Sequence, residues 1–251
     1  MTMQIKTEEK KVLLGLSGGV DSTASASLLL DAGYEVTAVT LWTWQEEGEG
    51  EARNLRAARS ADLLGIRHIL LDVRQAFYDE VVAPFTKDWD KGLTPNPCVM
   101  CNPDFKFRQM SLLADREKIP YLATGHYARI RETEWGRRLI RARVRAQDQS
   151  YFLYRLPMPI LNRLLFPLGD FCKDDARAIA GRQGDPVSGQ KDSQDICFIG
   201  KGELRSFLGR QGLVDRGILS ISGGRSWDST GESGDTQSAS GGGWGSPSVT
   251  G

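Results

Sequence analysis

The segment Leu13-Leu14-Gly15-Leu16-Ser17-Gly18-Gly19-Val20-Asp21-Ser22 sets an apolar run, a glycine pair and two hydroxyls in a row. Adjacent glycines let the backbone turn sharply and bring N–H groups close to a bound anion. Ser17 and Ser22 add hydroxyl donors, and a helix starting here aims its positive end at the same spot. Asp21 is out of place in a plain phosphate cradle, because a carboxylate repels phosphate. It fits if it helps hold a magnesium ion on a pyrophosphate. An ordinary strand-to-helix turn is the plainer alternative, and the six-residue run from Ser17 to Ser22 after an apolar strand weighs against it. No Gly-Lys-Ser/Thr follows, so this is not a Walker A loop.

The thiols are the second source of chemistry. Cys98-Val99-Met100-Cys101 is a CxxC, but the chain holds only four cysteines and two histidines. A closed zinc site needs two more ligands and has no second CxxC to draw on. A thioredoxin-like pair is disfavoured because Asn96-Pro97 places the motif in a loop. One or two reactive thiols near a nucleotide is the remaining reading. Cys197 lies in the strand-like Asp195-Ile196-Cys197-Phe198-Ile199, beside a polar loop whose Lys191 could lower its pKa. Cys172, just before a helical stretch, reads as structural or cap-adjacent.

These residues need elements to hold them. Val12–Leu16, Tyr34–Trp42, Ile66–Asp72 and Tyr121–Gly125 read as strands. Thr23–Ala32, Ala52–Leu64, Phe77–Lys91 and Asp104–Arg116 read as helices, with Gly33 and Gly65 as stops. Strands alternating with helices predict a doubly wound parallel α/β sheet, with its ligand beyond the strands' carboxyl ends. Glu46–Glu51 and Leu93–Asn102 read as loops. Ala128–Arg131 and Arg138–Val144 read as a hairpin around Glu134–Gly136. Gln149–Arg155, Lys173–Arg182 and Gly202–Leu208 read as helical, and Gly184–Cys197 as a loop. Arg137, Arg138, Arg141, Arg143 and Arg145 form the one dense basic run, with the last three expected on one strand face. A solvated face is its plain reading, and an RNA backbone contact its functional one. His68 reads as structural.

Composition bounds the rest. The 251 residues are 40% hydrophobic and 25% charged, with 32 basic and 32 acidic side chains. That is ordinary for a globular protein and gives no global electrostatic footprint for nucleic acid. No apolar stretch nears the roughly 20 residues needed to span a membrane. Met1–Lys11 lacks the apolar core of a signal peptide, so the cytoplasm is the expected compartment.

The loop Ser17–Ser22 resembles the SGGxDS loop of the N-type ATP pyrophosphatases, which split ATP between the α and β phosphates. Four more motifs follow in order: Thr94–Asn102 around the CxxC, Ala123–Arg129, Asp148–Leu153 and Asp192–Gly200. Together they resemble the tRNA-specific 2-thiouridylase family over roughly Val12 to Arg216. The resemblance implies an adenine nucleotide α-hydrolase-like fold and ATP-dependent 2-thiolation of a tRNA wobble uridine. It assigns Gly15, Leu16, Ser17, Gly18, Gly19, Val20, Asp21, Ser22, Leu41 and Gly125 to ATP. It assigns Asn96, Pro97 and Cys98 to the target base, and His126, Gln147, Asp148 and Gln149 to tRNA. Cys101 matches the nucleophile and Cys197 the persulfide carrier, with a Cys101–Cys197 disulfide left after transfer. Other partners implied are magnesium and a persulfide donor protein.

Two departures stand out. Gln147 replaces a usual Lys, and Cys98 a common Asp. Cys98, Cys101 and Cys197 could then ligate a [4Fe–4S] cluster that delivers sulfide, an alternative ranked below the persulfide route. The resemblance implies a catalytic domain over 1–200, the start of a central tRNA-binding domain over 201–219, and then a break. Residues 220–251 are Gly- and Ser-dominated and expected to be disordered. Codons can be chosen for Arg225–Ser246 so that a shifted frame encodes V-L-G-F-H-R-G-I-W-R-Y-T-V-G-Q-R-R-G-L-G-V, which resembles the family's continuation. The expectation is a frameshifted or truncated chain. Another ATP pyrophosphatase acting on a small substrate, and a remnant that binds ATP only, are the competing readings.

Overall fold

A computed structural model describes residues 10–44, 49–182, 196–199 and 204–213. Chain contacts separate Met1–Ile218 from Leu219–Gly251, and every described residue belongs to the first unit. The expectations for Lys191, for most of the loop 184–197 and for 220–251 lie outside the described residues.

Five parallel strands run in the order β3-β2-β1-β4-β7: β1 (Lys11–Gly15), β2 (Glu35–Trp42), β3 (Arg67–Asp72), β4 (Tyr121–Thr124) and β7 (Leu164–Leu165). Each central strand alternates between two apolar faces. Leu13 and Leu122 pack with Phe107, Met110 and Leu113 of helix α6 (Phe107–Arg116). Val12, Leu14 and Ala123 pack with Ala26 and Leu29 of α1 (Val20–Asp31) and with Ala57 and Ala61 of α2 (Glu49–Leu64). Helices thus cover both faces, as a doubly wound sheet requires. The chain steps outward from β1 to β2 and β3, then returns to place β4 on the other side of β1. That reversal opens a crevice at the strands' carboxyl ends.

Helix α1 lies close against the sheet because it is made of small residues. Ser22, Thr23, Ala24, Ser25, Ala26 and Ser27 are all buried. Its other side meets Ala176, Ile179 and Ala180 of α8 (Lys173–Gly181). Cys172 is the N-cap of α8, in a reciprocal box with Asp175, in agreement with its cap-adjacent reading.

Four local readings need correction. The run expected as Phe77–Lys91 begins earlier, as α3 (Arg74–Phe77), a π turn (Tyr78–Val82) and α4 (Ala83–Asp90). The cysteine loop closes into a short helix, α5 (Pro97–Cys101), because Pro97 fits the first helical turn. A second π turn, Asn102–Lys106, then leads into α6. The expected helix Gln149–Arg155 is only a 3₁₀ turn at Ser150–Phe152. The hairpin pairs β5 (Ala128–Thr133) with β6 (Gly136–Arg141), and β6 ends too early to align the arginines. Arg143 donates its backbone N–H to Gly169 O, and Arg145 opens a 3₁₀ turn. Arg137 bonds Asn162 O and Leu164 O and pairs with Glu132, so it ties the hairpin to the sheet edge.

A separate aromatic cluster sits beyond β3. Phe77, Phe85, Phe105 and Cys101 pack there with Phe198 and Ile199 and with Phe207 of α9 (Leu204–Arg210). The Phe198 ring lies 5.7 Å from Phe77, 5.4 Å from Phe85 and 5.8 Å from Phe207. Phe198 is the anchor that fixes its neighbour Cys197.

Candidate active site

The crevice holds a cavity of about 260 Å³. Its walls come from the carboxyl ends of β1, β2 and β4, with Gly15, Leu16, Ser17, Asp21, Ser22, Leu41, Gly125, His126, Gln149 and Cys197 among the lining residues. The loop's shape follows from its own hydrogen bonds and glycines. Ser17 N–H donates to Ser22 Oγ at 3.1 Å, and Ser22 Oγ–H donates to Gly19 O at 3.0 Å. Gly18 has φ +70°, and a Cβ there would meet Ala57 N at 2.7 Å. Gly19 caps α1 with no side-chain cap bond, which leaves first-turn N–H groups for an anion. Gly125 is fixed by proximity: a Cβ would lie 2.9 Å from Asp21 C and Ser22 N.

Beneath the loop, Thr40 Oγ1–H donates to Leu16 O at 2.7 Å and accepts from His68 Nε2 at 2.8 Å. Burial pushes the His68 pKa down, which keeps the ring neutral. Its role is structural, as its sequence position implied.

Asp21 differs from expectation. Lys173 Nζ reaches its two oxygens at 2.8 and 2.7 Å, and Tyr127 Oη–H donates to Oδ1 at 2.8 Å. The carboxylate is paired with a lysine and bonded by a tyrosine hydroxyl. Among the described residues no three of His, Cys, Asp and Glu are grouped to hold a metal ion. Lys173 and Tyr127 were invisible as site residues because 152 and 106 positions separate them from Asp21.

The same cavity carries sulfur. Cys197 lines the cavity with Arg53 and Lys106. Arg53, from α2, donates to Leu41 O at 3.3 Å and Thr43 Oγ1 at 3.1 Å. Cys101 is only 5% exposed and does not line this cavity. Burial pushes its thiol up to about 12, against the pull of Lys106. It lines instead a neighbouring cavity of about 400 Å³, with Asn96, Pro97 and Tyr151. Burial likewise raises the Cys98 pKa.

The positions assigned to tRNA divide. Asn96 and Pro97 face the second cavity. His126 lines the first cavity with Nδ1 2.8 Å from Thr124 Oγ1, and burial, then Lys106, pushes its pKa down to about 4. Gln149 Oε1 accepts the Tyr127 N–H at 3.0 Å. Asp148 accepts from the Ala142 N–H at 2.9 Å and the Ser150 hydroxyl at 2.8 Å. Burial works against the Asp148 carboxylate, and these donors outweigh it and lower its pKa. Asp148 thus clasps the end of the hairpin. Gln147 lines neither cavity, and its Oε1 is buried with no partner among the described residues.

The chain is similar to known proteins over most of its length. The family described as tRNA methyl transferase HUP domain matches residues 10–201. A tRNA-specific 2-thiouridylase MnmA from Acidithiobacillus ferrooxidans is 46% identical over 203 residues, covering 80% of this chain and 57% of that protein. The namesake from Syntrophotalea carbinolica is 44% identical, covering 82% and 60%, and that from Synechococcus sp. is 44% identical, covering 80% and 52%. The chain spans little more than half the length of these curated relatives. With the match running through the phosphate loop, the CxxC helix and Cys197, the chain belongs to the tRNA-specific 2-thiouridylase family through its HUP domain.

Proposed function

We propose that this chain carries the catalytic domain of an ATP-dependent tRNA uridine 2-sulfurtransferase. One observation carries the reading: Gly15, Leu16, Ser17, Asp21 and Ser22 of the loop line a single cavity together with Cys197. ATP transfers its adenylyl group to the oxygen at position 2 of a wobble uracil, and pyrophosphate leaves. The amide donors of the loop serve the charge that develops on the phosphates. The terminal sulfur of a Cys197 persulfide attacks C2, and AMP leaves. The Cys101 thiolate then attacks the Cys197 sulfur, breaking its bond to the transferred sulfur. That leaves thiocarbonyl on the base and a Cys101–Cys197 disulfide, which an external dithiol reduces by two electrons. The resting Cys101 is a buried thiol, so the step requires deprotonation when the base is seated. The second cavity, lined by Asn96, Pro97 and Cys101, is the proposed seat of the base.

The partners are tRNA and a persulfide donor protein, and the compartment is the cytoplasm, where thiols stay reduced. No helix among the described residues is long and apolar enough to cross a membrane. The test combines ATP–pyrophosphate exchange, with and without tRNA, and mass analysis of the tRNA for thiouridine. The expected result is tRNA-dependent exchange and a thiouridine product lost in Cys101→Ser and Cys197→Ser. Exchange without tRNA would assign a small-molecule acceptor instead, and ATP binding without any exchange would assign a nucleotide-binding role alone.

A further inference from the structure

The loop Gly15–Ser22 carries no cation of its own. Its one charged residue is Asp21, and Lys173 already pairs with it. A polyphosphate brings several negative charges, and oriented amides offer only partial positive ones. The cavity wall adds full charges, with Arg53 and Lys106 as its cationic lining residues. Of the two, Arg53 is placed by contacts. Helix α2 sets Arg53, Ala57 and Ala61 four residues apart on one face. Ala57 and Ala61 are fully buried, and their small size lets the helix come close to the loop. A Cβ on Gly18 would lie 3.0 Å from Arg53 O and 2.7 Å from Ala57 N. Arg53 thus leaves its helix beside the glycine turn, and its Nη2 donates to Leu41 O and Thr43 Oγ1 after crossing to β2.

The guanidinium is left incomplete. Both acceptors on Nη2 are neutral. Nε is buried with no partner, and among the described residues no carboxylate pairs with this side chain. Burial lowers its pKa, but a guanidinium keeps its charge at any ordinary pH. A half-buried charge of this kind costs free energy until an anion meets it.

We propose that Arg53 is a nucleotide-binding residue that meets a phosphate group of the ATP held by the glycine loop. This deepens the ATP-dependent reading and rests on it, adding a cation from outside the loop motif. The planar fork of an arginine suits phosphate oxygens better than a point charge does. Nη2 anchors the side chain on β2 and leaves the rest of the fork for the ligand. A cation fixed in this way stabilises the charge that develops on the phosphates during adenylyl transfer.

The test is calorimetric titration of the full chain with ATP, pyrophosphate and adenosine. Arg53→Met should weaken ATP and pyrophosphate about tenfold or more and leave adenosine unchanged. Arg53→Lys keeps the charge without the fork and should recover part of the loss. Unchanged ATP and pyrophosphate affinity in Arg53→Met overturns the proposal. So does an equal loss for adenosine, which would make Arg53 only a brace between α2 and β2. A second measurement needs no variant. In the wild-type protein, ATP and pyrophosphate should protect Arg53 from phenylglyoxal, read on its peptide by mass spectrometry, and adenosine should protect it far less. Equal modification with and without the two phosphate ligands overturns the proposal even if Arg53→Met does not fold. Neither readout needs tRNA or a sulfur donor. A wild-type chain that shows this pattern but makes no thiouridine would therefore count against the sulfurtransferase reading alone.

Discussion

At the loop side of the cavity, most of the groups proposed for phosphate fall within the eight residues Gly15–Ser22 and the helix they begin. At the sulfur end, Arg53, Lys106 and Cys197 arrive from three distant segments. The first end is local and made of backbone, positioned by hydrogen bonds of about 3 Å between Ser17, Gly19 and Ser22. The second is held by side-chain packing, with Phe198 in its aromatic socket. A phosphate site can be built this way because anion binding needs only oriented amides. Thiol activation needs charges in a partly desolvated place, which requires tertiary assembly.

If the two ends are independent constructions, they should fail separately. Phe198→Ala should have the largest effect, a loss of about 3 kcal/mol from the aromatic cluster. Thermal unfolding should register it. ATP affinity should change little, and a parallel collapse of ATP binding would break the comparison. Gly125→Ala should do the reverse at about 2 kcal/mol, since its methyl group meets the backbone of Asp21 and Ser22. Calorimetry should find ATP binding abolished and Cys197 reactivity unchanged.

Lys173→Met should cost somewhat less, about 1–2 kcal/mol, by leaving the Asp21 carboxylate part-buried and unpaired beside the phosphates. Asp21→Asn in the same chain should recover much of the lost stability and ATP affinity. An Asp21→Asn change that worsens both would show that the carboxylate serves the nucleotide directly. His126 sharpens the comparison through pH. Its folded pKa is about 4 against an ordinary 6.5. The unfolded chain therefore binds the extra proton between those values, and stability falls as pH drops through that window. His126→Asn should flatten this part of the Tm–pH curve, a modest effect that a series of melts can resolve.

The sheet was legible from its sequence because β1, β2 and β4 carry nearly continuous apolar runs bounded by glycine or charge. Leu164–Leu165 was not, since two residues carry no periodicity. The phosphate loop was legible because its chemistry is contiguous. Of the sulfur end only the cysteines could be read. Lys106 and Arg53 look like ordinary solvated helix charges in the chain, and the π turn that aims Lys106 leaves no mark in residue type. The arginine run misled for the opposite reason. Its even spacing suggested one strand face, but the strand ends at Arg141 and Arg137 is spent on carbonyls of the β7 region.

The small residues of α1 have a thermodynamic consequence. Three serines, a threonine and a length of 12 residues give that helix little intrinsic stability, so it exists because it docks on the sheet and on α8. The first-turn amides are thus oriented for an anion only in the folded domain. On the proposed function ATP is then a folding ligand, and at a hundredfold excess over its Kd it would add about 2.7 kcal/mol to the native state. A domain of this design would be most resistant to unfolding when such a nucleotide is abundant, and nucleotide depletion would lower its persistence.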